Sequence, residues 1–410
     1  MHHASKVALG MLLVLGAGPL GAQEQRGGMP VPQEVNENRR DVMKLAPQKT
    51  GIELRTMAED SYRRGLAFLV ACQNEDGSFG SFDPKMAELK DFGFGTASRG
   101  ANDGVLTACT AICAKAFLRK KDRTETEEKA FRDAVDFLLL TDKLAYDMGE
   151  AFNTWGYGYE LDFLCDFLES AEGKDRKDEI VAAARICVLG LKRFQQADGG
   201  WNYYAPPIAG GESMCFNTAN FAEALYRAAS LGIPVPGGMT EDAAKLVKRM
   251  QTIRGGFMYD ARFLLSTREV NVLSSAARTA AATEALAEMG IFTEQDLLRG
   301  LAIFDEGENW LEDGRKLIVP HTAVDQVSGY FFFYGYHYLA EYLHRLGDRV
   351  PVSRHERNAW TMIRTQEKNG CWWDTAAADY GDKWGTGFAL MVLQRYFEDC
   401  PREGAVAGAE

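Results

Sequence analysis

The stretch Phe194-Gln195-Gln196-Ala197-Asp198-Gly199-Gly200-Trp201 contains the pattern that decides the fold: a glutamine, a glycine four residues later, and an aromatic ring two residues after that. The pattern occurs at three further places, Gln73/Gly77/Phe79, Gln251/Gly255/Phe257 and Gln366/Gly370/Trp372. Repetition of one pattern along a chain indicates an internal structural repeat. We call these four stretches the Gln-Gly-aromatic marks.

The distances between the marks predict the number of repeats. Gln195 and Gln251 are 56 residues apart, whereas the other two intervals are 122 and 115 residues, each close to twice that length. Two units without a mark should therefore lie in the longer intervals. Suitable apolar stretches are present at 131–140 followed by 156–168, and at 297–303 followed by 330–346. The sequence thus predicts six units.

Each unit is predicted to be two helices joined by a long loop. Apolar residues recur with helical spacing in the second segments, for example at Leu106, Cys109 and Cys113. No stretch has the sustained alternation of β-branched residues that is typical of a strand. The expected fold class is therefore all-α, with twelve helices in six hairpins that form an open superhelix or a closed ring.

The stretches 68–80 and 194–201 resemble the Gln-Trp repeats of squalene and hopene cyclases, whose superfamily includes the protein prenyltransferase β subunits. The resemblance covers roughly residues 57–397. It implies an α6/α6 toroid, in which six inner helices are surrounded by six outer helices. It also implies that the glutamine amides cap helix ends and that the aromatic rings lie over them, so that neighbouring outer helices are tied together. The glutamines and aromatic rings would then be scaffold residues rather than catalysts.

The ends of the chain predict an exported protein. Lys6, an apolar run at 7–20 and the small residues Gly21-Ala22 are typical of a signal peptide spanning 1–22. We expect a flexible lead-in at 23–56, the toroid at 57–400 and a disordered tail at 401–410. The expected location is secreted or periplasmic, with no integral membrane segment.

Charge and cysteine content exclude several classes of partner. The net charge of −12 opposes binding to nucleic acid. Five of the eight cysteines lie in apolar helical patterns and are expected to be buried thiols, although a single disulfide involving Cys371 or Cys400 is left open. No Cys-x-x-Cys pair is present, and we expect no metal and no cofactor.

Loop lengths predict where a site should lie. The connections from outer to inner helices are long, whereas the returns are short, so the long-loop end of the ring is expected to hold the main pocket. In the resembled family that end opens onto the central cavity. The residues expected to bind ligand there are Trp155, Tyr157, Tyr203, Tyr259, Arg278, Tyr330, Tyr334, Trp373 and Trp384. Their rings are suited to stabilising a carbocation or to stacking on sugars.

Two candidates for acid/base catalysis are His321 and Asp325, in the loop before the fifth inner helix. The known motifs of the resembled enzymes are missing. There is no Asp-x-Asp-Asp acid, which the segment 374–379 resembles only superficially, and no Asp-x-Cys zinc pair. His337, Glu341 and His344 share one helix face and are either metal ligands or a Glu341–His344 pair.

Three functions are compatible with these observations. The first is a terpenoid cyclase-like or prenyltransferase-like toroid whose aromatic cavity binds an apolar, isoprenoid-like molecule. The alternative is a secreted polysaccharide lyase or hydrolase, which would act on a glycan with a carboxylate pair or a His/Tyr pair. The third is a non-catalytic binding ring. An apolar closed cavity favours the first, an open polar groove the second and a filled centre the third.

Overall fold

The computed structural model describes residues 47, 49–81, 99–144, 152–203, 212–265, 275–316, 331–374 and 379–401. The described part contains twelve α-helices and no β-strand. In chain order they are α1 Gly51–Cys72, α2 Arg99–Leu118, α3 Glu125–Leu138, α4 Asn153–Glu169, α5 Lys177–Phe194, α6 Cys215–Ser230, α7 Met239–Arg249, α8 Ala276–Glu288, α9 Glu294–Gly314, α10 Phe332–Leu346, α11 Val352–Thr365 and α12 Tyr380–Asp399.

The even-numbered helices form a closed inner ring. Each packs against the next one, and α12 packs against α2, while the odd-numbered helices lie outside. The outer layer also closes, because α11 contacts α1. The all-α toroid with six hairpins is therefore confirmed, including the two units that lack a mark. The first helix begins at Gly51, ahead of the boundary at residue 57 that the sequence indicated.

Each mark forms the same tight turn at the end of an outer helix. The glycine has a positive φ in all four copies, 86° at Gly77, 99° at Gly199, 98° at Gly255 and 94° at Gly370, a conformation that side chains disfavour. Each aromatic ring is completely buried. The backbone N–H of each ring residue donates to a threonine hydroxyl on the following inner helix, at Thr110, Thr218, Thr279 and Thr386. The marks therefore fasten outer helices to inner ones.

The glutamine amides connect neighbouring outer helices. Besides bonding within its own turn, Gln73 donates to the carbonyl of Ala130 at 2.8 Å, Gln195 to that of Met239 at 3.2 Å and Gln366 to that of Ser61 at 2.8 Å. These carbonyls lie within the outer helices α3, α7 and α1 rather than at their C-terminal ends. The role that the resemblance implied for the glutamines is thus a lateral tie and not the capping of unpaired terminal groups.

In the second unit, Lys143 replaces the missing mark. Its ammonium group donates to the carbonyls of Leu138 and Leu140 at 2.7 and 2.8 Å, and to Glu160 of α4 at 2.7 Å. Outer helix and inner helix are therefore joined here by a buried ion pair.

All eight cysteines are free thiols, so the disulfide left open at Cys371 or Cys400 is not present. No helix among the described residues is long and apolar enough to span a membrane. The expected signal peptide at 1–22, the tail at 402–410 and almost all of the lead-in lie outside the described residues.

Candidate functional site

Aromatic side chains fill the centre of the ring near the N-terminal ends of the inner helices. Trp155 of α4 stacks on Trp384 of α12 at 5.4 Å between ring centroids, and Phe216 of α6 packs edge-on against Tyr334 of α10 at 6.3 Å. Neither pair of helices is adjacent in the ring, so these contacts cross its centre. We call the group the aromatic plug. Its members are Phe152, Trp155, Tyr159, Tyr203, Phe216, Tyr259, Phe331, Tyr334, Tyr338, Trp384 and Phe388.

Five of the rings expected to bind ligand belong to this plug. Trp155 donates from its indole nitrogen to Asn217 at 3.0 Å, and the hydroxyls of Tyr203 and Tyr259 lie 3.2 Å apart. Tyr334 and Trp384 are buried by the neighbouring rings. These side chains are therefore packed against one another and line no apolar cavity in the part of the chain that the structure describes.

The other expected residues are dispersed. The ring of Tyr157 lies against Gly190 of the outer helix α5, away from the centre. Arg278 is fully buried and donates to the carbonyl of Phe257 at 2.8 Å. Trp373 is partly buried beneath the ammonium group of Lys316 at 4.3 Å. The structure thus gives Tyr157 and Arg278 packing roles, and it does not bring either of them to a cavity with Trp373.

His321, Asp325 and Tyr330 fall within 317–330, outside the described residues. The catalytic role expected of His321 and Asp325 and the ligand contact expected of Tyr330 stay predictions. Part of each long outer-to-inner loop is also outside the described ranges. What can be located is the cavity formed by the helices themselves.

A cavity of 280 Å³ opens at the opposite, short-loop end of the ring. Its lining comes from the C-terminal halves of all six inner helices, with two charged residues one helical turn apart on each of five helices. These pairs are Lys115/Arg119, Asp162/Asp166, Glu223/Arg227, Glu284/Glu288 and Glu341/Arg345, and Arg395 completes the set from α12. We call this cavity the polar basin. This cavity lies at the opposite end of the ring from the one that the loop lengths indicated.

The floor of the polar basin is the lower face of the aromatic plug. Asn220 accepts a hydrogen bond from the hydroxyl of Tyr334 and donates to that of Tyr159, both at 3.2 Å. His337 and Tyr338 lie beside them, with their rings 4.9 Å apart. At the rim, Glu169 and Arg345 have side chains that are 52% and 37% exposed. The basin thus runs from an open charged rim to a buried floor.

Ion pairs cross most of the seams between the helices that line the basin. Lys115 and Arg227 both bind Asp162, at 2.6 and 3.1 Å, and both bind Asp166, at 3.0 and 2.5 Å. Burial alone would raise the pKa of Asp166, but these two cations outweigh it and hold the pKa well below its usual range. The result is a fixed pair of carboxylates on α4.

Glu341 occupies a similar position on the other side. It binds Arg119 at 2.7 Å and Arg395 at 2.6 Å. Burial opposes ionisation of Glu341, but these guanidinium groups lower its pKa well below normal. Arg345 in turn binds Glu284 at 2.6 Å and Glu288 at 2.5 Å. No ion pair between the described residues of α6 and α8 crosses the seam that separates those two helices.

Glu223 faces the basin at that seam. Its side chain is half-buried and lines the cavity, and its carboxyl group makes no hydrogen bond and no ion pair with any described residue. Burial raises the pKa of Glu223 well above its ordinary value, and repulsion by Glu284 and Asp162 raises it further. Arg227 and Lys115 oppose the shift but do not cancel it. The surroundings of Glu223 therefore favour the protonated, neutral form of its carboxyl group.

The histidines separate into two environments. Burial lowers the pKa of His337 to about 3, so the imidazole on the basin floor is neutral, with its Nδ1 3.6 Å from Glu341. His344 turns away and its Nδ1 lies 2.5 Å from Asp399 of α12. The pairing of Glu341 with His344 inferred from spacing is thus wrong. In the ranges that the structure covers, no three His, Cys, Asp or Glu side chains are arranged as a metal site.

Sequence reasoning missed the basin, although a signal was present. Charged residues recur at i and i+4 near the ends of five inner helices that are otherwise apolar, and such positions face inward if the helix is surrounded by others.

Comparison of the sequence with models of known families and with curated proteins gives no match. Comparison with solved structures gives matches. The type II terpene cyclase MstE from Scytonema is 14% identical, with a TM-score of 0.51, over 83% of this chain and 98% of that one. The GH76 α-mannanase from Bacteroides thetaiotaomicron is 10% identical, with a TM-score of 0.54, over 83% and 96%. The Lin0763 protein from Listeria innocua is 13% identical, with a TM-score of 0.52, over 82% and 96%. The chain is therefore an α/α toroid with the fold of the squalene-hopene cyclase-like terpene cyclases, a fold that it shares equally with a glycoside hydrolase.

Proposed function

We propose that the protein is a toroidal enzyme that hydrolyses glycosidic bonds in the polar basin. The observation that carries the proposal is the presence of two different carboxyl groups in one open cavity. Glu223 has no ion-pair partner among the described residues and surroundings that favour its protonated form, whereas Asp162 is an ion-paired carboxylate. Hydrolysis of a glycosidic bond needs this combination of one acid and one base.

The chemistry follows from the two environments. Glu223 donates its proton to the glycosidic oxygen, which departs as an alcohol as its bond to the anomeric carbon breaks. A water molecule attacks that carbon and gives its proton to Asp162, which Lys115 and Arg227 keep oriented. Proton exchange with solvent then restores Glu223 to the acid form and Asp162 to the base form.

The surroundings of the basin suit a hydroxyl-rich ligand. Its lining is charged, its floor offers the hydroxyl of Tyr159 and the amide of Asn220, and its rim is open. An isoprenoid would have to leave water for this charged surface, which offers little apolar area in exchange. Five of the rings expected to hold an apolar ligand pack against one another in the aromatic plug. The α-mannanase among the structural neighbours is consistent with glycan chemistry on this fold.

The test is a hydrolysis assay on a panel of glycans that includes α-mannan, with reducing ends as the readout. For a glycan that is cleaved, Glu223→Gln and Asp162→Asn should each lower kcat by about 10²-fold or more. Glu241→Gln on the outer helix α7 is the matched control, because Glu241 is an exposed carboxylate far from the basin lining. Full activity of the Glu223→Gln variant, or no cleavage of any glycan in the panel, would overturn the proposal.

A further inference from the structure

We propose that the substrate of the polar basin is cationic, a glycan that carries free amino groups, and that one ammonium group binds in the seam between Glu223 on α6 and Glu284 on α8. This inference rests on the proposed function for the choice of a glycan. The binding of a cation in the seam depends only on the arrangement of charges.

The basin has more acids than bases. Its lining contains seven Asp or Glu residues and five Lys or Arg residues, a formal charge of −2 when every one is ionised and of −1 when Glu223 is protonated. His337 adds no positive charge, because burial lowers its pKa to about 3. A ligand with positive charge therefore improves the electrostatic balance of the site, whereas an anionic ligand worsens it.

The deficit is located at one seam. At four other seams, cations from one helix bind carboxylates from the next. Lys115 joins α2 to α4 and Arg227 joins α6 to α4. Arg345 joins α10 to α8 and Arg395 joins α12 to α10. At the seam between α12 and α2, the charged lining residues described are all cations. At the seam between α6 and α8 the described residues provide two acids, Glu223 and Glu284, and no cation between them. Glu223 has no partner there at all, although its carboxyl faces the cavity.

An ammonium group fits this position in chemistry as well as in charge. It carries several N–H donors, so it can bond to both carboxylates at once, as Arg345 already does with Glu284 and Glu288. With the ammonium bound, a charge-assisted contact would cross the seam between α6 and α8, as ion pairs already cross other seams of the ring. No group of described residues suits a metal ion, which favours an organic cation.

A bound ammonium would also improve Glu223 as a catalyst. In the empty basin burial and the neighbouring acids Glu284 and Asp162 raise the pKa of Glu223 far above normal, which makes it a reluctant proton donor. A positive charge alongside lowers that pKa towards the working pH, where a general acid is most effective. A cationic substrate would thus make Glu223 a better proton donor to its own glycosidic oxygen.

Isothermal titration calorimetry with two trisaccharides that differ only in charge tests the inference. The probes are the trimers of glucosamine and of N-acetylglucosamine, titrated into wild-type protein at pH 6. We expect the amino trimer to bind at least about tenfold more tightly, the order of magnitude of one partly buried charge-assisted contact. Equal binding of the two trimers, or tighter binding of the acetylated one, would overturn the inference.

The Glu284→Gln variant should lose most of the preference, while the Glu241→Gln control should keep it. Since removal of Glu284 also breaks its contacts with Arg345, a second measurement uses the unaltered protein. Titration of the amino trimer in buffers of different ionisation enthalpy should reveal release of a fraction of a proton per ligand, because a pKa lowered towards the working pH leaves Glu223 partly protonated. The acetylated trimer should release none. Proton uptake, or no proton change with the amino trimer, would contradict the model.

The outcomes separate the inference from the proposed function. If the protein prefers the charged trimer but cleaves no glycan, the proposed cation site is supported and the proposed hydrolase activity is rejected. If the protein cleaves neutral glycans in a reaction that depends on Glu223 but shows no charge preference, the hydrolase activity is supported and the cation site is rejected.

Discussion

The indole nitrogen of Trp372 donates a 2.7 Å hydrogen bond to the carbonyl oxygen of Met362, ten residues earlier in the chain. Trp201 makes the same bond to Leu191, at 2.8 Å and with the same separation. In both units the ring of the mark thus turns back onto its own outer helix and bonds to a carbonyl near its C-terminal end. The two marks with phenylalanine, at Phe79 and Phe257, lack this donor.

Replacing Trp372 by phenylalanine should therefore lower stability. The change removes a buried donor and part of a fully buried ring, so we expect a loss of about 1–3 kcal/mol in the free energy of unfolding. Trp360→Phe on the same outer helix is the control, because its indole nitrogen has no hydrogen-bond partner among the described residues. Urea unfolding of the two variants would measure the difference. An equal loss in both would mean that the bond to Met362 contributes nothing.

The four glutamines are expected to differ in importance. Gln73, Gln195 and Gln366 each reach the next outer helix, whereas Gln251 makes only a bond of 3.4 Å to Gly255 within its own turn. Alanine at each of the first three positions should cost about 1–2 kcal/mol, and at Gln251 less than about 0.5 kcal/mol. Thermal unfolding of the four variants in parallel is the measurement. A Gln251→Ala variant as damaged as the others would show that the lateral tie is not their role.

The buried pair Lys143–Glu160 gives a third prediction. Lys143→Met leaves the buried carboxyl of Glu160 without its cation and leaves two helix-end carbonyls unpaired, so we expect a loss of about 3–5 kcal/mol. The double variant Lys143→Met/Glu160→Gln should recover part of it. A full double-mutant cycle with Glu160→Gln alone isolates the coupling. Additive losses would indicate that the two side chains act independently.

Asp374 should make stability depend on pH. It is fully buried, and burial raises its pKa to about 7 even though the backbone N–H of Phe333 donates to it. Because the folded state binds this proton more tightly than the unfolded chain does, the contribution of Asp374 is most favourable below its unfolded pKa and is lost as pH rises from about 4 to 7. Asp374→Asn should remove that loss, which amounts to at most about 4 kcal/mol.

Comparing unfolding free energies at pH 4 and pH 8 for wild type and Asp374→Asn checks this. Asp399→Asn provides a control of opposite sign. Burial alone would raise the pKa of Asp399, but hydrogen bonds from His355 and His344 lower it, so its stabilising contribution is present above its unfolded pKa and is lost at acid pH. If the unfolding free energy of the Asp374→Asn variant depended on pH in the same way as that of wild type, the raised pKa would not belong to Asp374.

Much of the fold could be predicted from the sequence, because the marks encode it locally. The positive φ at Gly199 favours glycine, and the buried ring of Trp201 must follow it at a fixed distance. The turn can therefore be recognised in the sequence from the spacing of these residues. The partner of that turn, Thr218, was not recognised, because its distance from the ring residue varies from one unit to the next: 17 residues here and 31 at Thr110.

The site was harder to predict than the fold. Whether Trp155 lines a cavity or fills it depends on Trp384, which is more than 200 residues away in the chain and packs on it from across the ring. Loop length carries no information about this packing. Glu223 and Glu284 lie on different helices, and their proximity depends on which inner helices are neighbours. Only the folded ring makes them a pair.

Closure of the ring by its first and last helices has a consequence for biosynthesis. Gln366 bonds to Ser61, and Arg55 donates to the carbonyl of Cys400 at 2.5 Å, contacts that span 305 and 345 residues of chain. While the ribosome is still adding the sixth unit, the faces of α1 and α2 that pack on α11 and α12 have no partner, and the nascent chain is an open arc with an apolar edge. Contacts this distant in sequence are made late and slowly. The same adjacency makes the protein a good substrate for circular permutation, with a linker joining the two ends of the ring and new termini in the short return 231–238 between α6 and α7.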